Sequence, residues 1–398
     1  MSYLLKRKVT FGLVLVAASW RLISWSQDDP RQAAIALEQQ GKTTEAEAAW
    51  SALAKAYPTN AEPFAHLGLL EARQEHYTEA VAAYRKAMAL DPAMPRLRFN
   101  LGLAYFKAGA YREALQEFKP LLKTEQADSD EAQRLAILIG MSHYGLAEFV
   151  AADPYLKQAS DRDARNLPLL LTLAHSCLLS NQYQCVLDAF HRIMSLNAES
   201  AEAHMLMGEA LDEMKDTNGA IRELRAAVQV NPKEPNVHFA LGYLLWTQGH
   251  TEEAAHEFQA ELSNIPGHNQ ATLYLADSYI QMNRFEDARP LLEAVVKMSP
   301  TNSMGHLDLG IVYADAGRKE DALGEFKTAI KLKPGDVNAH WRLGRLYRSM
   351  GKTAEAKAEF EKSKSLNKTA DERLLKVMSR VPQQERAPQG AAAASPAQ

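Results

Sequence analysis

The chain has 398 residues, 46% of them apolar and 24% charged, with a formal net charge of −4. Such proportions belong to soluble folded chains and exclude collagen-like, wholly disordered and polytopic membrane architectures. The charge is uneven. Residues 1–26 carry Lys6, Arg7, Lys8 and Arg21 and no acid, the stretch from Val337 onward holds twelve Lys/Arg against six Asp/Glu, and residues 27–336 are left at −14. An acidic body of that length repels a phosphate backbone, so no nucleic-acid partner is expected.

In chain order, Lys6-Arg7-Lys8 comes first, followed by the twelve-residue apolar run Val9 to Trp20. A charged start and a short apolar stretch predict an export signal, and twelve residues fall short of a bilayer span. Small residues at Ser24 and Ser26 frame a cut after Ser26. The alternatives are an uncleaved anchor and a cytoplasmic start with no targeting role. Under the first two readings the basic flank leaves the N-terminus inside and exports the rest. The expected location is then periplasmic or secreted, or inner-membrane anchored with the body outside the cytoplasm. No Cys lies in the first thirty residues to accept a lipid.

From Gln27 the sequence repeats with a period of 34. Gly68, Gly102, Gly208, Gly242, Gly310 and Gly344 keep that register, and Gly140 is displaced by a four-residue insertion near Asp128 to Ala132. Twelve residues after these small positions runs Ala46, Ala80, Ala114, Ala152, Val186, Ala220, Ala254, Ala288, Ala322 and Ala356. Ten repeats result, starting near residues 27, 61, 95, 133, 167, 201, 235, 269, 303 and 337 and ending at 370. Inside each, apolar residues follow helical spacing in two stretches separated by a polar turn. Small residues at positions 8 and 20 allow the two helices to approach closely. Position 24 supplies a large plug, as in Trp50, Tyr84, Phe118, Phe190, Phe258, Phe326 and Phe360. Proline at position 32 stops the second helix at Pro58, Pro92, Pro232, Pro266, Pro300 and Pro334. Repeat one, with Ala33-Ala34, and repeat five, with Ala174, Val186 and no terminal proline, depart from the pattern.

These features resemble the tetratricopeptide repeat (TPR) family, and the stretch Gly310 to Tyr313 with Ala322, Ala329 and Pro334 follows its pattern closely. The resemblance implies an all-α, right-handed α-solenoid of about ten helix-turn-helix repeats. After Ala370, residues 371–381 read as a capping helix bearing Leu374, Leu375 and Met378, and the Pro/Gln/Ala tail 382–398 as disordered.

Leader, repeats and tail account for the whole sequence, so no segment is left for a separate catalytic domain, and neither an enzyme nor a cofactor is expected. His204, His238, His306 and His340 all fall at position 4. Helices spaced about 8–10 Å apart place successive histidines too far from one ion held at about 2.0–2.1 Å, so they read as packing residues and not as a metal ladder. His250, Glu253 and His256 do not make the HExxH zinc motif. Cys177 and Cys185 are too few for a disulfide framework and read as reduced packing thiols, able to pair only if their Cα atoms lie within about 7 Å.

The resemblance further implies that first helices line an inner, concave surface through positions 2, 5, 9, 12 and 13. Those positions hold Phe99, Leu103, Phe106, Ile137, Met141, Tyr144, Leu171, Leu178 and Leu179 in repeats three to five, and Phe239, Tyr243 and Trp246 in repeat seven. Repeat six adds Glu202, Glu209, Asp212 and Glu213, and repeat ten adds Trp341, Arg345 and Arg348. A contiguous exposed apolar patch marks an interaction site, against the competing reading that helix packing buries it. The Lys and Asn pair with which the family holds C-terminal carboxylates is missing, since repeat two has Ala65 and Leu69. The expected function is a non-catalytic scaffold that takes a peptide or protein segment in its groove. The alternative is an accessory subunit of an envelope enzyme or export machine, in contact through its convex face or ends.

Overall fold

The structure, a computed structural model, describes residues 29–126, 129–196 and 199–378, with side chains up to 368; the leader and the tail lie outside them. Among the described residues every regular element is an α-helix, and none is long and apolar enough to cross a membrane. The helices fall into two compact units, Met1–Arg162 and Asp163–Gln398. The first contains α1 (Pro30–Gln39), α2 (Thr43–Ala56), α3 (Ala61–Arg73), α4 (Tyr77–Leu90), α5 (Leu97–Lys107), α6 (Tyr111–Thr124), α7 (Asp130–Gly145) and α8 (Phe149–Arg162). The second opens with α9 (Leu167–Leu179), α10 (Tyr183–Ser195), α11 (Ala201–Glu213), α12 (Thr217–Val230), α13 (Val237–Thr247) and α14 (Thr251–Asn264). It continues with α15 (Asn269–Gln281), α16 (Phe285–Met298), α17 (Ser303–Asp315), α18 (Lys319–Leu332), α19 (Val337–Ser349) and α20 (Thr353–Met378). Odd and even helices pair as the first and second helices of the repeats, a solenoid arrangement within each unit.

Why the first helices start where the period places them is visible in their caps. Asn60, Asn166, Ser200, His268, Asn302 and Asp336, each the last residue of the preceding repeat, accept a backbone N–H of the new helix. Such a side-chain acceptor satisfies one of the N–H groups that the first turn leaves unpaired. Met94 and Glu234 stand at that place before repeats three and seven, each followed by a proline, and there the helix starts two residues later. The residues that precede it, Arg96 and Asn236, take left-handed backbone conformations with φ of 61° and 67°.

The core of each repeat is one close contact, between position 8 of the first helix and position 24 of the second. A Cβ added to Gly102 would lie 2.6 Å from the Phe118 ring, and one on Gly310 would lie 2.6 Å from Phe326. Both rings are completely or almost completely buried. Position 8 carries a methyl group in three repeats, and in the first of them Ala34 shares its core with a fully buried ring, that of Trp50. Repeat eight pairs Ala276 with the smaller Leu292, both fully buried, whereas repeat five pairs Ala174 with Phe190, which stays half-buried and turns its edge toward His204 at 5.3 Å between ring centroids.

The histidines at position 4 form a second contact inside the repeat. Nδ1 of His204, His238, His306 and His340 hydrogen-bonds to Glu223, Glu257, Glu325 and Glu359 at 2.8, 2.6, 2.5 and 2.6 Å. Each glutamate sits at position 23, next to the plug. His306 and His340 also direct Nε2 at the carbonyl oxygens of Pro300 and Pro334, 3.0 and 3.1 Å away, which ties each repeat to the proline that ended the previous one.

Two expectations need correction. Cys177 and Cys185, read as reduced thiols, are joined in a disulfide between α9 and α10, the helical hairpin bringing their Cα atoms to 5.9 Å. The segment expected to form a separate capping helix is instead continuous with the last second helix, because α20 runs unbroken from Thr353 to Met378. No glycine or proline interrupts it there.

The Gly310→Ala substitution is expected to destabilise the second unit by about 1–3 kcal/mol through overpacking against Phe326. Adding Phe326→Leu, which recreates the Ala276 and Leu292 pair of repeat eight, is expected to recover part of that loss. Urea unfolding followed by circular dichroism measures both; a double variant less stable than Gly310→Ala alone would refute the account of this contact.

Candidate functional site

In the first unit, Phe99, Leu103 and Phe106 on α5 and Ile137, Met141 and Tyr144 on α7 are all half-buried. Phe99, Leu103 and Phe106 pack against the core that contains Phe118, Leu135 and Ile139. Phe106 and Tyr144 each meet the ring that opens the partner helix edge-on, Tyr111 and Phe149, with centroids 5.6 Å apart in both cases. These six residues thus combine inter-helix packing with partial exposure. The competing burial reading holds for α9. Leu178, expected on the surface, is only 6% exposed, and Leu171 is buried with it, while the adjacent Leu179 is exposed.

The second unit brings its candidates together more completely. Phe239, Tyr243 and Trp246 lie on α13 at intervals of four and three residues, hence along one helix face. Tyr274, from α15, inserts among them: its ring centroid is 6.1 Å from Phe239, 5.2 Å from Tyr243 and 4.9 Å from Trp246. The rings of Tyr243 and Trp246 lie near-parallel at 6.0 Å. Tyr243 remains 40% exposed, so the cluster presents an aromatic surface rather than only a core. Tyr274 was not among the sequence candidates because it occupies position 6 of its repeat, one place from the expected lining set.

Polar groups frame this surface. Trp246 Nε1 donates to Asp277 Oδ2 at 2.6 Å, and Gln281 Nε2 donates to the same oxygen at 2.6 Å. On α11, partial desolvation together with the neighbouring Glu213 and Asp212 charges holds the Glu209 carboxyl above its ordinary pKa. No ion pair to Lys or Arg is formed by Glu209, Asp212 or Glu213 among the described residues. On α19, Trp341 is exposed, with the Arg342 and Arg345 guanidinium carbons 5.5 and 4.9 Å from its ring centroid, and Arg348 lies 5.7 Å from that of Phe360.

Sequence reasoning also missed Asp308 on α17. Its side chain is buried and Oδ2 has no hydrogen-bond partner. Burial, then the Asp277 charge, push its pKa well above the usual carboxylate range; Asp336 adds to this and Arg342 opposes it. Because the folded pKa is raised above the unfolded one, the folded state retains the proton longer, and Asp308 costs stability increasingly as pH rises above about 3.9. Asp308→Asn is therefore expected to leave the urea midpoint nearly unchanged near pH 3.5 and to raise it at pH 7. A midpoint lowered equally at both values would show that the carboxyl is a stabilising group.

Comparison with known proteins places these features in context. Sequence models of the tetratricopeptide repeat match residues 31–60, 273–337 and 307–366, and a model described as TPR repeat matches 68–109 and 208–249. The chain is similar to the BBSome complex member BBS4 of Bos taurus, with 25% identity over 189 residues that cover 40% of this chain and 36% of that protein. It thus spans about a third of the length of that curated relative. Among solved structures it is similar to MamA from Desulfovibrio magneticus RS-1, at 22% identity and a TM-score of 0.40, covering 43% of this chain and 97% of that one. YrrB, described as a TPR protein with an unusual peptide-binding site, aligns at 17% identity and a TM-score of 0.40, over 45% of this chain and 92% of its own. The APC/C hetero-tetramer Cut9-Hcn1 aligns at 15% identity and a TM-score of 0.45, over 76% of this chain and 58% of that one.

Proposed function

Because the chain belongs to the tetratricopeptide repeat family, a fold that suggests a protein–protein interaction scaffold, we propose that it is a non-catalytic scaffold whose second unit docks a peptide or protein segment. The docking surface is the first-helix face centred on Phe239, Tyr243, Trp246 and Tyr274. The observation that carries this reading is the partly exposed cluster of four rings, with Tyr243 at its most open point. Aromatic residues that offer a rigid apolar surface with a polar edge are the residues on which binding energy concentrates. Glu209, Asp212 and Glu213 on α11, without an ion pair to Lys or Arg among the described residues, favour a segment that carries some basic residues.

The accessory-subunit reading also has an observation in its favour. Leu90, Met298 and Leu332, each at the last residue of a second helix, are exposed, a recurring apolar position away from the aromatic face. Under either reading we place the protein outside the cytoplasm. The basic and apolar start of the sequence supports this, and the Cys177–Cys185 disulfide suits an oxidising compartment.

The test is binding of segments selected from a displayed peptide library against the full chain. Trp246→Ala is expected to weaken a selected segment by about tenfold or more, the loss typical of a central aromatic anchor, with the unfolding midpoint measured alongside. Unchanged affinity in a folded variant, together with loss on Met298→Asp or Leu332→Asp, would transfer the function to the second-helix ends.

A further inference from the structure

Helix α19 carries Trp341, Arg342, Arg345 and Arg348, residues that at about 3.6 per turn fall within roughly a third of its circumference. Their contacts gather the charges around one ring: the guanidinium carbons of Arg345 and Arg342 lie 4.9 and 5.5 Å from the Trp341 centroid. Solvent reaches the group, because Trp341 is 42% exposed and Arg345 and Arg348 are exposed with it. Arginines at the starts of neighbouring second helices are neutralised locally, Arg284 by Asp287 at 2.8 Å and Arg318 by Asp321 at 2.7 Å. Those of α19 are not. Among the described residues none of the three forms an ion pair with Asp or Glu, and Arg342 Nε has no hydrogen-bond partner. Like charges this close repel one another, and each exposed guanidinium fork can take a carboxylate through two parallel N–H bonds.

On the reading of the first-helix face as a docking surface, we infer that its α19 end receives a run of two or three aspartate or glutamate side chains of the docked segment. The size of the patch matches a short acidic run. Arg342 to Arg348 spans about 9 Å along the helix axis, the length of about three residues of an extended segment. A long polyanion meets repulsion beyond it, from the exposed Asp315 on α17 and Glu355 on α20 and from a body, residues 27–336, at −14. The framework also sets a spacing. Helices α11, α13, α15, α17 and α19 are consecutive neighbours, and at about 8–10 Å per helix the arginines stand about 25–30 Å from α13, or eight to nine extended residues. The carboxylates of α11 lie one helix to the other side of α13. A segment laid across this face therefore reads basic, apolar and acidic in that order.

The indole N–H of Trp341 is the reporter, its signal in the 1H–15N correlation spectrum of the full chain assigned among five tryptophans with Trp341→Phe. The probes, in low-salt buffer, are N-acetyl-Glu-Glu-Glu amide, N-acetyl-Gln-Gln-Gln amide, the same glutamine peptide with a free C-terminal carboxylate, and hexathymidylate. The glutamate peptide is expected to shift the signal saturably and the glutamine amide to leave it in place. Arg345→Gln combined with Arg348→Gln is expected to weaken the glutamate response by about fivefold or more. Lys327→Gln combined with Lys331→Gln removes the same charge from exposed positions on α18 and is expected to change it by less than about twofold. No response to the glutamate peptide, equal responses to it and the glutamine amide, or equal losses in the two charge-matched variants would overturn the subsite. Tighter binding of the free-carboxylate glutamine peptide would overturn it in favour of a chain terminus, and tighter binding of hexathymidylate in favour of a phosphate backbone. The comparison of probes on the unaltered protein stands even where a variant fails to fold. A segment that binds in a Trp246-dependent way while the glutamate peptide causes no shift would remove the acidic subsite and leave the docking surface intact.

Discussion

The contact between position 8 and position 24 determines what the rest of each repeat can do. With a glycine at the first position, a second-helix ring comes closer than any Cβ would permit, as Phe326 does over Gly310. The ring then fills the space between the two helices and is almost fully buried. Packing interiors are dense enough that one methyl group is felt. Of the three repeats with alanine at position 8, repeat eight matches Ala276 with Leu292 and repeat five leaves Phe190 partly outside, whereas repeat one buries both Ala34 and Trp50. The histidine and glutamate contact beside the plug, such as His238 to Glu257 at 2.6 Å, adds a polar link between the same two helices.

Because the plug and the small residues hold the repeat together, the outward positions of the first helices are released from the core. In the second unit those positions carry, in order along the chain, carboxylates on α11, rings on α13 and α15, the half-buried Asp277 on α15, and guanidinium groups on α19. The face is therefore chemically graded although the framework under it repeats. A surface of that kind selects a segment by the order of its charges and apolar residues, which no single repeat specifies.

Much of the framework was legible in the sequence. The period located six of the first helices at their observed first residue, Ala61, Leu167, Ala201, Asn269, Ser303 and Val337, since a cap residue ends the preceding repeat in each case. It misplaced the starts at Leu97 and Val237, where that cap is absent, and those at Pro30 and Asp130, which lie three residues after 27 and three before 133. The candidate surface was legible only in part. The lining positions found Phe239, Tyr243 and Trp246, but the same positions named Leu178, which is buried. Exposure depends on what neighbouring helices place over a residue, and that is a property of pairs, not of one repeat. Asp308 and Tyr274 escaped for the related reason that a buried acid or a shared aromatic contact becomes evident only when adjacent repeats are stacked. The disulfide followed from the turn between α9 and α10, which two isolated cysteines in a sequence do not reveal.

The account centres on the first helices of the second unit as the surface that meets a partner. Hydrogen–deuterium exchange of the full chain, with and without a segment selected against it, addresses that claim most directly. The account predicts slower exchange in Val237–Thr247 and Asn269–Gln281 on binding. Protection confined to the last turns of α16 and α18, with α13 and α15 unchanged, would contradict it.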